Sequence, residues 1–144
     1  MNTQDVSATV ATLSIVGDLG LHMYNFGLPN LMDAQVYRNA PMTNFLGTVA
    51  GIASTATVAG VASEELKGTV DTIPDTYKRT LARGTVASAF LPVKVFVASG
   101  VVLAHSLLTG QPWAVPGDYF SKQLAPSLVL NSLIAFTVPY FSGD

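Results

Sequence analysis

Three long stretches without a charged residue constrain this chain more than any other feature of its sequence. Asn39–Ser63, Val95–Gly117 and Gln123–Gly143 contain 25, 23 and 21 residues without Asp, Glu, Lys or Arg. A helix needs about 20 mostly apolar residues to cross a hydrocarbon core that is roughly 30 Å thick. All three stretches are long enough, and they leave little of the 144-residue chain for a separate water-soluble domain. The sequence therefore predicts a small all-α membrane protein.

Composition agrees with this class and argues against several others. Hydrophobic residues make up 49% of the chain and charged residues 11%, whereas soluble domains have roughly 25% charged residues. The net charge of −2 gives a nucleic-acid partner no electrostatic attraction. The chain contains no cysteine, which excludes disulfides, iron–sulfur clusters and thiolate zinc sites.

The chain is predicted to form a single membrane domain with three transmembrane helices. The spans are predicted at 42–62, 84–108 and 124–140, joined to an N-terminal segment at 1–40 and a polar loop at 63–83. Pro41 suits the first turn of the first span because its missing N–H would have no helical partner there. The loop at 63–83 holds four of the seven basic residues. Since basic residues favour the cytoplasmic or matrix side of a membrane, we expect the loop on that side.

Residues 6–28 have the pattern of an amphipathic helix. Asp18 would lie near the middle of this segment, where a charge in the bilayer costs at least about 2.5–3.5 kcal/mol. A helix in the membrane interface avoids this cost by keeping Asp18, and His22 one turn later, in water. We favour this interfacial location; the alternative is that the segment forms a fourth span.

Small residues recur every four positions along the first predicted span, at Gly47, Gly51, Thr55 and Ala59. Helices in a bilayer associate largely through close backbone packing, which small residues permit. These four residues are therefore predicted to pack against another helix. The pattern does not distinguish a helix of the same chain from a helix of a partner.

A few polar residues fall inside segments that are otherwise apolar. Lys94 and Asn131 lie within predicted spans, and Asp18 joins them if the N-terminal segment crosses the membrane. Lys94 could extend to the interface, pair with an acid of another helix, or lie closer to the membrane surface. Pro92, two residues earlier, is predicted to kink its helix and to free a backbone carbonyl near Ser88.

The residues that could carry chemistry are few. His22 and His105 are the only histidines; two imidazoles can hold a haem between membrane helices, but zinc needs three or four ligands. Neither a glycine-rich phosphate-binding motif nor a GxSxG motif occurs. We therefore predict no enzymatic activity, no catalytic or metal-binding residue and no cofactor other than bound lipid.

Several short segments, spread along most of the chain, occur in a particular order. They are Val16-Gly17-Asp18, Leu28-Pro29, Asp75-Thr76, Leu81-Ala82, Val86-Ala87-Ser88 with Pro92, and Thr137-Val138-Pro139 before Asp144. In this order they resemble the mitochondrial fission process protein family, which consists of small multi-pass proteins of the inner mitochondrial membrane. The resemblance implies that membrane as the location and implies no enzymatic activity. It carries over no catalytic residue.

These observations favour a non-enzymatic accessory subunit of a large inner-membrane assembly, such as a respiratory-chain complex or ATP synthase. Its partners would be other membrane subunits and lipids. One alternative is a small homo-oligomeric transporter or channel that uses Asp18, Lys94 and Asn131 along a polar path. A further alternative is a redox subunit that binds haem or quinone. The positive-inside pattern is equally compatible with a thylakoid or bacterial membrane.

Overall fold

The computed structural model describes residues 1–142, and this part of the chain contains helices and no strand. The helices are α1 (Thr3–Asn25), α2 (Ala40–Val70), α3 (Thr76–Ala87), α4 (Phe90–Leu108), α5 (Ala114–Tyr119) and α6 (Ala125–Phe141). A 3-10 helix, Ala34–Arg38, lies between α1 and α2, and a π-helical turn, Phe120–Leu124, joins α5 to α6. The predicted all-α class is confirmed. Gly143, which ends the third charge-free stretch, and Asp144, which belongs to the family resemblance, lie outside the described residues.

Four helical segments of the described chain are long and apolar enough to cross a membrane. They are Thr3–Asn25, Ala40–Val70, Thr76–Leu108 and Ala114–Phe141. The last three contain the spans predicted at 42–62, 84–108 and 124–140, and the first is the segment for which an interfacial location was favoured. This architecture is compatible with a multi-pass membrane protein.

The helices extend well beyond the predicted spans. Residues 63–83 were predicted as a polar loop, but α2 continues to Val70 and α3 begins at Thr76, so that only residues 71–75 connect the two helices. The prediction is wrong because charge marks where an apolar span ends, not where a helix ends. Glu64 and Lys67 form an ion pair one turn apart on the exposed side of α2, with a distance of 2.9 Å, and such pairs stabilise a helix in water.

The helix boundaries follow local sequence signals. Pro41 lies in the first turn of α2, as predicted. Pro92 lies in the first turn of α4. A kink was predicted there, whereas the helix is broken between the end of α3 at Ala87 and the start of α4 at Phe90. At the other end of the bundle, Gly27 adopts a positive φ of 68° directly after α1, a conformation that terminates helices and favours glycine.

Consecutive long helices run antiparallel and pack around a common core. α1 contacts α2, α3 and α6, while α4 packs mainly on α2. One apolar cluster comprises Val6, Val10, Ala87, Phe90 and Ala135, and a second comprises Ala98, Val102, Tyr119 and Leu124. Along α4, Lys94 lies one turn from each cluster, four residues after Phe90 and four before Ala98. A polar layer therefore separates the two apolar clusters.

From Ser14 to His22, α1 turns its polar residues toward the protein and its large apolar residues outward. Asp18 is 2% exposed and His22 is also buried, whereas the outward-facing Val16 and Leu19 are 61% and 49% exposed. The expectation that an interfacial helix keeps Asp18 in water is therefore wrong, because the polar stripe faces other helices. An apolar outer face suits a lipid environment, since water would favour the opposite arrangement.

Candidate functional site: a buried ion pair between helices

An ion pair joins α1 to α4 in the interior of the bundle. The Nζ of Lys94 donates a hydrogen bond to the Asp18 carboxylate, and both side chains are almost completely buried. Taking either charge alone out of water is strongly unfavourable. Because the two charges lie in contact, each offsets the charge of the other, and the interior carries no net charge at this point.

Two residues of α6 complete the environment of the ion pair. Ser127 accepts a hydrogen bond from Lys94 and donates one to an Asp18 carboxylate oxygen at 2.6 Å. The amide of Asn131 accepts from Lys94 at 2.6 Å through its oxygen and donates to the same Asp18 oxygen at 3.3 Å through its nitrogen. An ammonium group has three protons to donate, and here each of them has an acceptor. We call Asp18, Lys94, Ser127 and Asn131 the central cluster.

The π-helical turn before α6 adds two further polar contacts to α1. Gln123 lies in this turn, and its side-chain amide donates to the backbone carbonyl of Asp18 at 3.0 Å. One residue earlier, the carbonyl of Lys122 accepts a hydrogen bond from the Asn25 side chain at 2.6 Å. π-Helical turns are rare, and many of those that do occur lie at functional sites. Here the turn aligns polar groups of two helices that are far apart in the sequence.

The central cluster is closely packed. The space beside it, bordered by Thr48, Gly51, Tyr119 and Leu124, contains no volume large enough for a water molecule. A Cβ atom on Gly51 would lie 3.4 Å from Cε of Lys94. Glycine at this position therefore lets α2 pack directly on the aliphatic part of the lysine side chain.

The structure brings together all three polar candidates, Asp18, Lys94 and Asn131. Ser127 and Gln123 were not singled out from the sequence, although a signal was present. Gln123, Ser127 and Asn131 follow one another at intervals of four residues, which places them on one helix face. A polar stripe of this kind in an otherwise apolar span would have identified both residues.

The small-residue stripe of α2 is buried, and its glycines face α4 of the same chain. At Gly47, a Cβ atom would overlap the side chain of Val102 and would lie 2.9 Å from the ring of Tyr119. Thr55 and Ala59 are also buried, and the Thr55 hydroxyl donates to the backbone carbonyl of Gly51 at 2.9 Å. The two glycines therefore permit a close helix contact within the chain.

The two histidines make separate hydrogen bonds. Nδ1 of His22 lies 2.9 Å from the Thr48 hydroxyl. Nδ1 of His105 lies 2.7 Å from the Thr43 hydroxyl, and its Nε2 lies 3.0 Å from the backbone carbonyl of Tyr37. A haem held by both imidazoles would have to displace a hydrogen bond of His105. Among residues 1–142, no group of three or more His, Asp or Glu residues is arranged to hold a metal ion.

A second polar cluster ties the start of α1 to the connection between α2 and α3. The Asp71 carboxylate accepts hydrogen bonds from the Thr3 N–H at 3.0 Å and from the Thr3 hydroxyl at 2.6 Å. The same carboxylate accepts from Nε and Nη2 of Arg83 at 3.0 and 2.8 Å. We call Thr3, Asp71 and Arg83 the end cluster.

The end cluster stabilises the ionised form of its carboxyl group. Partial burial of Asp71 favours the neutral form, but the hydrogen bonds from Thr3 and Arg83, together with the guanidinium charge, outweigh it and lower the pKa of Asp71. The Asp71 side chain is 28% exposed, whereas the Arg83 side chain is 6% exposed. The cluster therefore has contact with solvent, which the central cluster does not have.

No protein-family model, characterised protein or solved structure matches this chain.

Proposed function

We propose that this chain is a non-enzymatic structural subunit that packs against other membrane subunits of a larger assembly. The observation that carries the proposal is the closed central cluster. Lys94, Asp18 and their α6 partners satisfy one another, and no water-sized space lies among them. Groups that bind a substrate need open coordination or hydrogen-bonding positions. The strongest polar groups of the interior are engaged in holding the helices together.

We further propose that the chain crosses the membrane four times. Support comes from the orientation of α1, which buries Ser14, Asp18 and His22 and exposes Val16 and Leu19. Intramembrane ionisable residues commonly face the interior of a bundle and pair with one another. With four spans, the N-terminus of α1 and residues 71–75 lie on the same side, which agrees with the contact between Thr3 and Asp71.

The outer surface offers a place for neighbouring subunits. A groove of about 260 Å³ runs between α1 and α2, and most of its lining residues are small. Among them is Gly60, where a Cβ atom would meet no other atom within 4 Å. Small residues on the outside of a membrane helix allow another helix to approach closely. This groove therefore supports an accessory role without identifying the partner.

The proposals for the membrane and for the assembly are based on the sequence alone. We propose the inner mitochondrial membrane, and a respiratory-chain complex or ATP synthase as the assembly, on the basis of the family resemblance and the absence of a recognisable catalytic motif. Bound lipid is expected on the exposed apolar faces. A thylakoid or bacterial membrane is the alternative location.

A small homo-oligomeric transporter or channel is the second candidate function. The observation that favours it is the buried pair of Asp18 and Lys94, because ionisable residues inside membranes often belong to ion or proton pathways. In that case Asn131, which contacts both charges, would belong to the path. Transport would require the closed cluster to open.

Extraction of the native membrane in mild detergent, followed by a native gel and mass spectrometry, tests the proposed function. We expect the chain to migrate with many other subunits in a band of high molecular mass. Migration alone or as a small homo-oligomer would contradict the structural role. Proton or ion flux in reconstituted vesicles would then be measured, and loss of flux in Lys94→Ala with oligomerisation preserved would establish transport.

Gly60→Leu tests the packing of partners separately from the packing of the chain itself. Gly60 faces outward, so the isolated variant should fold like the wild type but should co-purify less well with its partners. Gly51→Leu is the matched comparison, because Gly51 packs against Lys94 of the same chain. Normal co-purification of Gly60→Leu would exclude this part of the surface as a subunit contact.

A further inference from the structure

We propose that α1 is a conditional membrane span, which crosses the bilayer only after Lys94 is in place to neutralise Asp18. The inference goes beyond a structural role, since it concerns how the bundle is assembled. It rests on the proposed four-span arrangement but not on the identity of any partner.

α1 is the least suited of the four long helices to enter a membrane alone. It is the least apolar of the four candidate spans, and the residues that it buries include Ser7, Ser14, Asp18 and His22. Polar groups and a charge at the centre of a span oppose its insertion. Within the bundle this polar face contacts other helices. These contacts offset the free-energy cost of placing the polar groups of α1 in the membrane.

The residues that contact Asp18, which we call the receiving site, belong to helical segments that are more apolar than α1. Thr76–Leu108, which carries Lys94, is the most apolar of the four candidate spans, and Ala114–Phe141 contributes Ser127 and Asn131. The hydrogen bonds from Lys94, Ser127 and Asn131 all meet the single carboxylate of Asp18. These segments therefore form a polar site inside the membrane that is complementary to one residue of α1.

Because of the order of synthesis, α1 cannot pair with Lys94 as soon as it has been made. α1 is synthesised before any part of this receiving site, because Lys94 follows Asp18 by 76 residues. Until then, α1 can lie in the membrane interface with Asp18 in water and with apolar residues such as Val16 and Leu19 in the headgroup region. The interfacial helix expected from the sequence is then an earlier state of the helix that the structure shows inside the bundle.

Thiol labelling in sealed vesicles tests this proposal. The chain contains no cysteine, so a short N-terminal tag with one cysteine would supply the only thiol. A membrane-impermeant maleimide then reports on which side the N-terminus lies. Two reference variants, Met32→Cys and Lys78→Cys, place a thiol at exposed positions on opposite sides of the four-span arrangement.

In the wild type, we expect the N-terminal thiol to react from the same side as the thiol of Lys78→Cys. Lys94→Leu should reduce the ratio of spanning to non-spanning α1 by about tenfold or more, because Asp18 is left without a countercharge. The double variant Asp18→Leu/Lys94→Leu should restore the wild-type side, and Asp18→Lys/Lys94→Asp should restore it at least in part. Lys122→Leu, which removes an exposed lysine, is the matched control and should change nothing.

The labelling pattern separates two possible failures. If the wild-type N-terminus reacts from the side of Met32→Cys, the four-span arrangement is wrong and the inference falls with it. If the wild type spans but Lys94→Leu keeps the wild-type ratio, the inference alone is overturned. Failure of the double leucine variant to restore the wild-type side would also overturn it, since charge neutralisation would then not be the cause. The two reference thiols show in each variant whether the remaining helices keep their orientation.

Discussion

The central cluster and the end cluster each join an aspartate to a basic residue, but they differ in their access to water. The side chains of Asp18 and Lys94 are 3% and 4% exposed, whereas those of Asp71 and Arg83 are 28% and 6% exposed. Solvent weakens the interaction between charges and also stabilises each charge when its partner is lost. Asp71 can therefore be rehydrated when one of its partners is lost, whereas Asp18 and Lys94 cannot.

This difference suggests separate roles for the two clusters. The central cluster determines which helices can lie next to one another, because an unpaired Asp18 or Lys94 in the interior is strongly unfavourable. The end cluster holds the start of α1 against the connection between α2 and α3, at a position where the Asp71 carboxylate is in contact with water. Four variants or conditions, ordered by expected effect, test the comparison.

The largest effect is expected from Lys94→Leu. It leaves Asp18 buried without a countercharge, and we expect the free energy of unfolding in detergent to fall by about 3–5 kcal/mol. In Asp18→Leu/Lys94→Leu no charge remains buried in the central cluster, so the double variant should recover at least half of this loss. Equilibrium unfolding in mixed micelles measures both values. Equal losses in the single and double variants would show that packing, rather than charge, holds the central cluster together.

Gly51→Leu should have the next largest effect. Its side chain would need the space occupied by the stem of Lys94, which lies 3.4 Å from the position of a Cβ atom. Overpacking of this kind typically lowers the free energy of unfolding by about 1–3 kcal/mol. Gly60→Leu, on the same helix but facing outward, is the control and should change stability by less than about 0.5 kcal/mol. Similar losses in both variants would contradict the assignment of Gly51 to the interior.

Asp71→Asn should lower the free energy of unfolding by only about 1 kcal/mol, because the end cluster is partly solvated. The pKa of Asp71 is lowered in the folded protein, so its contribution is complete above the ordinary carboxyl pKa. It is lost as the pH falls below roughly 4 toward the lowered value. Unfolding measured from pH 7 to pH 3 should show a smaller loss of stability in Asp71→Asn than in the wild type. Parallel pH profiles would exclude Asp71 as a source of acid sensitivity.

Salt should produce the smallest effect and should act on one cluster only. Raising the ionic strength from about 0.1 to 1 M shortens the screening length from roughly 10 to 3 Å. The stability difference between the wild type and Asp71→Asn should shrink by a few tenths of a kcal/mol. The difference for Lys94→Leu should stay constant, since salt does not enter the closed interior. A salt-dependent difference for Lys94→Leu would indicate that the central cluster has access to solvent.

Several features could be predicted from single segments of the sequence. Three of the four long apolar helices follow from the charge-free stretches, the start of α2 follows from Pro41, and a departure from regular helix near Ser88 follows from Pro92. Each of these depends on residues close together in the chain. The same local reasoning failed at residues 63–83, because charged residues were taken to indicate a loop, whereas the helix continues with an exposed ion pair.

The candidate site could be predicted only in part. Asp18, Lys94 and Asn131 stood out because each is polar in a long apolar segment, whereas Ser127 and Gln123 are less unusual and were missed. The residues lie on three different helices, and nothing within one helix indicates which faces meet. The residues that pack against the small-residue stripe could not be predicted for the same reason, since Gly47 meets Val102 and Tyr119 from distant parts of the chain.

The residues of each segment are enough to predict that this protein contains helices that are long and apolar enough for a membrane. The preference of a segment for lipid or water is the sum of the preferences of its own residues, so it can be calculated one segment at a time. In contrast, the packing of the helices was needed to show that the polar face of α1 meets protein and not water. An amphipathic stripe has the same pattern in both cases, and the choice depends on Lys94, which lies 76 residues away from Asp18 and supplies the countercharge that makes the buried position of Asp18 stable.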